Sequence, residues 1–205
     1  MLQLTNIQKF YNKHLVLEIP SLQLENGFFW IKGANGSGKT TLLKMVAGLI
    51  PFGGDITFQD ISLQRQALAY RRNASWAEAE PLYPPFMTGK ELITLYQHIR
   101  KVSPDDVYIL LDLFNIHDYI DDPVATYSAG MIKKLSLVLA FLGDPLLIVL
   151  DEPLITLDPD AISALCAYIL EKHKATFLVS SHQAPDSTLL PLCQELTVSN
   201  RTISR

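Results

Sequence analysis

The eight residues Gly33-Ala34-Asn35-Gly36-Ser37-Gly38-Lys39-Thr40 constrain this chain more than any other segment. They satisfy G-x-x-x-x-G-K-[ST] at every fixed position. Gly33, Gly36 and Gly38 allow the backbone to curl its N–H groups around phosphate oxygens. Asn35, Ser37 and Thr41 belong to the same candidate phosphate-binding set. Lys39 supplies a point charge for the β- and γ-phosphates, and the Thr40 hydroxyl is placed to coordinate Mg²⁺. The neighbours fit the motif. Gly27 opens the apolar run Phe28-Phe29-Trp30-Ile31-Lys32, which reads as a buried strand. After Lys39 the residues Thr41, Leu42, Leu43, Met45, Val46 and Ala47 form an apolar helical stripe that stops at Gly48. Strand, glycine loop and helix N-terminus together make an anion site.

An α/β frame is expected around this unit. Leu2–Ile7, Leu15–Ile19 and Leu22–Leu24 read as strands of an antiparallel layer, and Ile56-Thr57-Phe58 as a further strand after the Gly53-Gly54-Asp55 turn. From Pro84 the pattern becomes helical. Thr88-Gly89-Lys90-Glu91 opens one helix, and Ser103-Pro104 opens another, with a serine cap and proline in the first turn. The frame resumes with Leu146–Leu150, a helix over Ala161–His173 and the strand Thr176–Ser180. Strand–helix–strand repeats of this kind build a parallel sheet.

Bulk properties narrow the partners. The chain has 205 residues and a formal net charge of −4, which argues against nucleic acid as the default partner. Arg71-Arg72 and Lys133-Lys134 are isolated pairs and read as solvated faces. Cys166 and Cys193 form no C-x-x-C pattern and read as free thiols in a reducing compartment. No secretion signal is expected at Met1–Asn6, and the apolar stretch Leu135–Leu150 is broken by Gly143-Asp144-Pro145, short of a bilayer span.

Two further features bear on chemistry. Asp151-Glu152 directly follows the Leu146–Leu150 run, at the carboxyl end of a parallel strand, where open α/β sheets bind ligands. An aspartate there can orient Mg²⁺ and its waters. A carboxylate one residue on can direct the water that attacks a γ-phosphate. His182 ends the next strand run and points to the same region, whereas His14, His98, His117 and His173 have no ligand spacing.

The order of these pieces resembles the ATPase subunit of ABC transporters over nearly the whole chain. The discriminating segment is Tyr127-Ser128-Ala129-Gly130-Met131, which stands where that family has its Leu-Ser-Gly-Gly-Gln signature. The resemblance implies a P-loop NTPase fold with a mainly parallel core sheet, an N-terminal antiparallel β layer and an inserted α-helical subdomain. In this reading 1–85 and 146–205 form the nucleotide-binding core and 86–145 the helical subdomain. It implies that Ser128 and Gly130 contact the γ-phosphate held by a second subunit, and that Tyr11 stacks on adenine. It places Glu78 at the Q-loop position as a metal-site residue, and Asp151 at the metal-orienting aspartate. Glu152, His182 and Lys39 become the catalytic residues, and Leu157-Asp158 the D-loop. The implied ligands are ATP and Mg²⁺. The implied partners are a second ATPase subunit, identical or related, and an integral-membrane transporter subunit that would hold the chain at the cytoplasmic face. The Tyr-Ser-x-Gly-Met form resembles exporter-type subunits more than importer subunits. Ala129, Met131 and Glu78 depart from the family pattern, and Ala129 raises the question of whether its backbone needs φ > 0. The alternatives are a non-transport ATPase of the same family and a hydrolysis-poor regulatory module. A GTPase would require Asn-Lys-x-Asp, which Asn12-Lys13-His14-Leu15 fails.

Overall fold

The computed structural model describes residues 1–181 and 193–205. The chain opens with β1 (Leu2–Tyr11) and β2 (His14–Leu24), a hairpin turned where Asn12 takes φ 54°. Leu15–Ile19 and Leu22–Leu24, expected as separate runs, are one strand continuous through Pro20. The reason is position: β2 is the edge of its sheet, where the missing proline N–H costs little in ladder bonding.

Next come β3 (Phe28–Lys32), α1 (Lys39–Val46), β4 (Gly53–Phe58) and β5 (Ile61–Ser62). The strands β2-β1-β4-β5, in that order, make a four-stranded antiparallel layer. Then follow α2 (Ala67–Asn73), β6 (Ala74–Ala77), and three helices, α3 (Gly89–Arg100), α4 (Pro104–Phe114) and α5 (Ala129–Phe141). Thr88 and Glu91 close a capping box on α3, and Ser103 accepts from the Asp106 N–H at the start of α4, so the sequence signals for both helix starts hold. The chain finishes with β7 (Leu147–Asp151), α6 (Pro159–Glu171), β8 (Thr176–Ser180), β9 (Gln194–Ser199) and β10 (Thr202–Ser204). The second sheet runs β10-β9-β3-β8-β7-β6, parallel throughout except for the antiparallel β10–β9 pair.

The central strands are buried on both faces, which explains their unbroken apolar runs. In β3, Phe28 and Trp30 enter one core with α3, α4, α5 and α6. Phe29 and Ile31 enter the other, with α1 and the antiparallel layer. The same alternation divides Ile148 and Leu150 from Leu147 and Val149 in β7. The sheet is thus clamped between two apolar layers. The carboxyl ends of β3 and β7, which carry Gly33 and Glu152, are fixed from both sides. Among the described residues, no helix is long and apolar enough to cross a membrane.

Candidate active site

The P-loop leaves β3 and enters α1 at Gly38, which takes φ 108°. A Cβ there would be strained by that backbone and would also press on Leu17 at 3.2 Å. No side chain caps α1. Its first-turn N–H groups, with the positive end of the helix dipole behind them, are therefore available to an anion. Lys39 is buried, and its Nζ donates to the carbonyls of Gly33 at 2.7 Å and Ala34 at 3.2 Å. Phosphate oxygens would take over these bonds with a fully charged acceptor.

A cavity of about 320 Å³ is lined by Val16, Asn35, Gly36, Gly38, Lys39, Thr40, Thr41 and Glu152. The fold thus brings Glu152 to the P-loop across more than a hundred residues of sequence. Asp151 sits behind it, 2% exposed, at the end of β7. Its Oδ1 accepts from Ser180 Oγ at 2.5 Å, and Ser180 Oγ in turn accepts from the Glu152 N–H at 3.0 Å. The Ser180 carbonyl also accepts from the Glu152 N–H, at 3.2 Å. These bonds hold Glu152 at φ 47°, a left-handed conformation that costs a non-glycine residue about 1–2 kcal/mol. Such strain is retained where the surroundings over-determine it, as at functional sites. The orienting role of Ser180 was not signalled by its place in an apolar run, since a polar strand-end residue has many uses.

The donor set fits a hard cation. Thr40 offers a hydroxyl and Asp151 a carboxylate, both oxygen ligands. Among the described residues no three His, Cys, Asp or Glu side chains cluster as metal ligands, so magnesium here would draw most of its oxygens from phosphate and water.

Glu78 follows β6 and does not line this cavity; its Oε1 accepts from Lys44 Nζ of α1 at 2.6 Å. Tyr11 ends β1, 47% exposed, with Lys9 Nζ 4.7 Å from its ring centroid. It does not line this cavity, whereas Val16 on the adjacent strand does and supplies an apolar wall. His182 lies outside the described residues.

Ser128 and Gly130 stand apart from the cavity, at the start of α5. Ser128 is exposed, and its Oγ accepts from the Met131 N–H at 3.2 Å while the Ser128 N–H meets Met131 Sδ at 3.4 Å. Met131 therefore closes a sulfur version of the capping box. Gly130 approaches the Thr156 carbonyl so closely that a Cβ would lie 2.9 Å from it. Ala129 is the first residue of the helix and is not among the residues with positive φ, so alanine meets no backbone penalty there.

Lys133 corrects the reading of Lys133-Lys134 as a solvated pair. Its side chain points inward, 2% exposed, and Nζ donates to the carbonyls of Glu78 at 2.9 Å and Ala79 at 2.6 Å. Burial lowers its pKa to about 8, opposed by the negative charges of Asp151, Glu152, Glu80 and Glu78. The helical period carried the signal, because Lys133 lies on the same face as the buried Ser136, Leu137 and Ala140. Lys134 instead pairs with Asp158 Oδ2 at 2.7 Å, tying α5 to the cap of α6.

The ABC transporter family model matches residues 17–155. The lantibiotic transport ATP-binding protein SrtF of Streptococcus pyogenes is 30% identical over 187 residues, spanning 89% of this chain and 80% of its own. The cytochrome c biogenesis ATP-binding export protein CcmA of Legionella pneumophila is 32% identical over 190 residues, spanning 89% and 93%. A solved ATP-binding subunit of an ABC transporter superposes with a TM-score of 0.90 at 27% identity, covering all of this chain and 88% of that one. An ATP-binding cassette solved as a dimer with ADP and Pi shares the fold, with a TM-score of 0.82 at 20% identity and coverage of 100% and 97%. The chain belongs to the ABC transporter family, as one of its ATP-binding, ATP-hydrolysing members.

Proposed function

We propose that the chain works as one of two ATPase subunits that close around MgATP and power export through a separate membrane subunit. The observation that carries this reading is the division of the phosphate-binding parts. The P-loop and Glu152 share one cavity, while Ser128 and Gly130 lie outside it, at an exposed helix start. A second copy would bring its own Ser128 segment to the γ-phosphate. While Ser128 Oγ accepts from Met131, its hydroxyl hydrogen remains to be donated to a phosphate oxygen.

In this mechanism Lys39 and the α1 N–H groups hold the phosphate chain, and Tyr11 packs on adenine. Glu152 orients a water molecule and takes its proton as the water oxygen bonds to the γ-phosphorus. The bond from that phosphorus to the bridging oxygen breaks, and ADP carries away the electron pair. Mg²⁺, when bound, offsets the negative charge on the phosphate oxygens. Thr40 and Asp151 would hold it or its waters. Glu78 would join them only by leaving Lys44. His182 is assigned to γ-phosphate stabilisation by family resemblance.

We assign residues 86–145 as the helical subdomain and 1–85 with 146–205 as the nucleotide-binding core. Leu82 at 92% exposure and Phe86 at 80% are large apolar side chains left in solvent beside the helical block. With Leu95 and Ile99 they suit an apolar element of a membrane subunit and would place the chain at the cytoplasmic face. The export protein CcmA among the relatives and the Tyr127–Met131 pattern favour outward transport.

Glu152→Gln tests the reading. ATP binding should persist while hydrolysis slows about 10²-fold or more, the scale of losing an acid–base group. Under saturating ATP the same variant should sediment as a dimer. Unchanged turnover removes Glu152 from its role, and a persistent monomer removes the pairing.

A further inference from the structure

Burying an ammonium group is costly, and lysine is seldom fully buried unless it is paired. Methionine or leucine at position 133 would fill the same space without that cost. Lys133 nevertheless points its Nζ at the backbone of the segment that follows β6, bonding two successive carbonyls, Glu78 and Ala79. The same segment is gripped from the opposite side. Lys44 of α1 binds the Glu78 carboxylate, and its Nζ lies 6.0 Å from the Trp76 ring centroid. Residues 76–79 are therefore clasped between two lysines, one from the P-loop helix and one from the helix that begins at Ser128. The negative charges of Asp151, Glu152, Glu80 and Glu78 all favour the charged form of Lys133.

We propose that Lys133 is a positioning residue for ATP hydrolysis, holding the Glu78–Ala79 backbone that follows β6 in fixed relation to the Ser128 helix. The role follows from reach. One side chain connects the phosphate-sensing end of α5 to the segment after β6 by hydrogen bonds, and β6 pairs with β7, the strand that ends at Asp151. A displacement of about 1 Å in such a support can cost about 10²-fold in rate without touching the substrate. The proposal rests on the reading of Glu152 as the water-directing carboxylate.

The test compares Lys133→Met, Lys133→Arg and Glu152→Gln in the full chain with MgATP. Lys133→Met should lower kcat about tenfold or more while the Kd and KM for ATP stay within about twofold. Lys133→Arg, which keeps charge and donors, should recover most of the rate. Lys133→Met added to Glu152→Gln should cost little more than Glu152→Gln alone, because both changes disable the same step. A kcat near that of the parent chain in Lys133→Met overturns the proposal. So does a loss that multiplies fully with Glu152→Gln, or one that follows the fall in unfolding temperature and is not rescued by arginine. If Lys133→Met does not fold, Lys133→Gln and Lys133→Arg decide by the same measures. If Glu152→Gln alone leaves turnover unchanged, the reading of Glu152 fails first, independently of Lys133.

Discussion

Two helix N-termini in this chain are read as phosphate sites, and they are built differently. At α1 no side chain caps the helix, and a glycine in a left-handed conformation leads into it. At α5, Ser128 caps the helix through the Met131 N–H, and Met131 sulfur returns a contact to the Ser128 N–H. The first terminus leaves its hydrogen-bonding capacity open and is flanked by the buried Lys39. The second has satisfied part of its own need and is exposed. An open terminus can hold a ligand by itself. A self-capped one is stable without a ligand, and so suits a surface that meets the phosphate only when a partner brings it.

Removing Mg²⁺ with a chelator tests the open terminus hardest. Thr40 and Asp151 then have no cation to hold, and ATP hydrolysis should fall to background, restored by added Mg²⁺. Lys39→Met should come next, weakening ATP binding about 10- to 100-fold in a direct titration, the scale of charged hydrogen bonds. Ser128→Ala should separate the two termini. ATP affinity of the isolated chain should hold, while hydrolysis and ATP-driven pairing drop about tenfold, the scale of one lost hydrogen bond to a charged group. If Ser128→Ala weakens ATP binding as much as Lys39→Met does, the distinction between the termini fails.

The smallest effect is expected at a third N-terminus, that of α6, where Asp158 accepts from the Ala161 N–H at 2.8 Å. Asp158→Ala should cost about 1 kcal/mol and lower the unfolding midpoint by about 2–4 °C. The Lys134 hydrogen bond and the Ala161 N–H hold the Asp158 carboxyl below the usual carboxylate range. Its contribution is therefore present above the unfolded-state pKa and fades as pH falls through the lowered folded pKa. The gap in midpoint between the variant and its parent should close in acid.

What the amino-acid order disclosed was the part whose chemistry requires particular residue types. The P-loop, Asp151-Glu152 and the caps at Thr88 and Ser103 are each written in a few adjacent residues. β6 and α2 were not foreseen: Ala74-Ser75-Trp76-Ala77 is too short and mixed to show a period, and it becomes a strand because β7 offers it an edge. Gln194-Glu195-Leu196-Thr197-Val198-Ser199 opens on polar residues and lacks the unbroken apolar run of its neighbours, and it becomes β9 because β3 offers it an edge. Two adjacent lysines suggest a solvated pair, whereas the helical period puts Lys133 on the buried face of α5. Ser180 was overlooked because its importance depends on Asp151 and Glu152, which only the parallel register brings beside it. Local rules were legible, whereas polar groups whose partners lie far along the chain were not.

The placement of β3 has a consequence for how the chain is made. Its two neighbours in the sheet are β8 and β9, so Phe28 pairs with Phe177 and Phe29 with Gln194. During synthesis the strand that carries the P-loop emerges long before β8 and β9, its two neighbours. At about 5–20 residues per second, the ribosome leaves that apolar strand without its final partners for roughly 10–30 s. The nucleotide-binding loop is thus translated well before the strands that secure it. A chain truncated before residue 176 would contain every residue of the motif and have no strand against which to hold it.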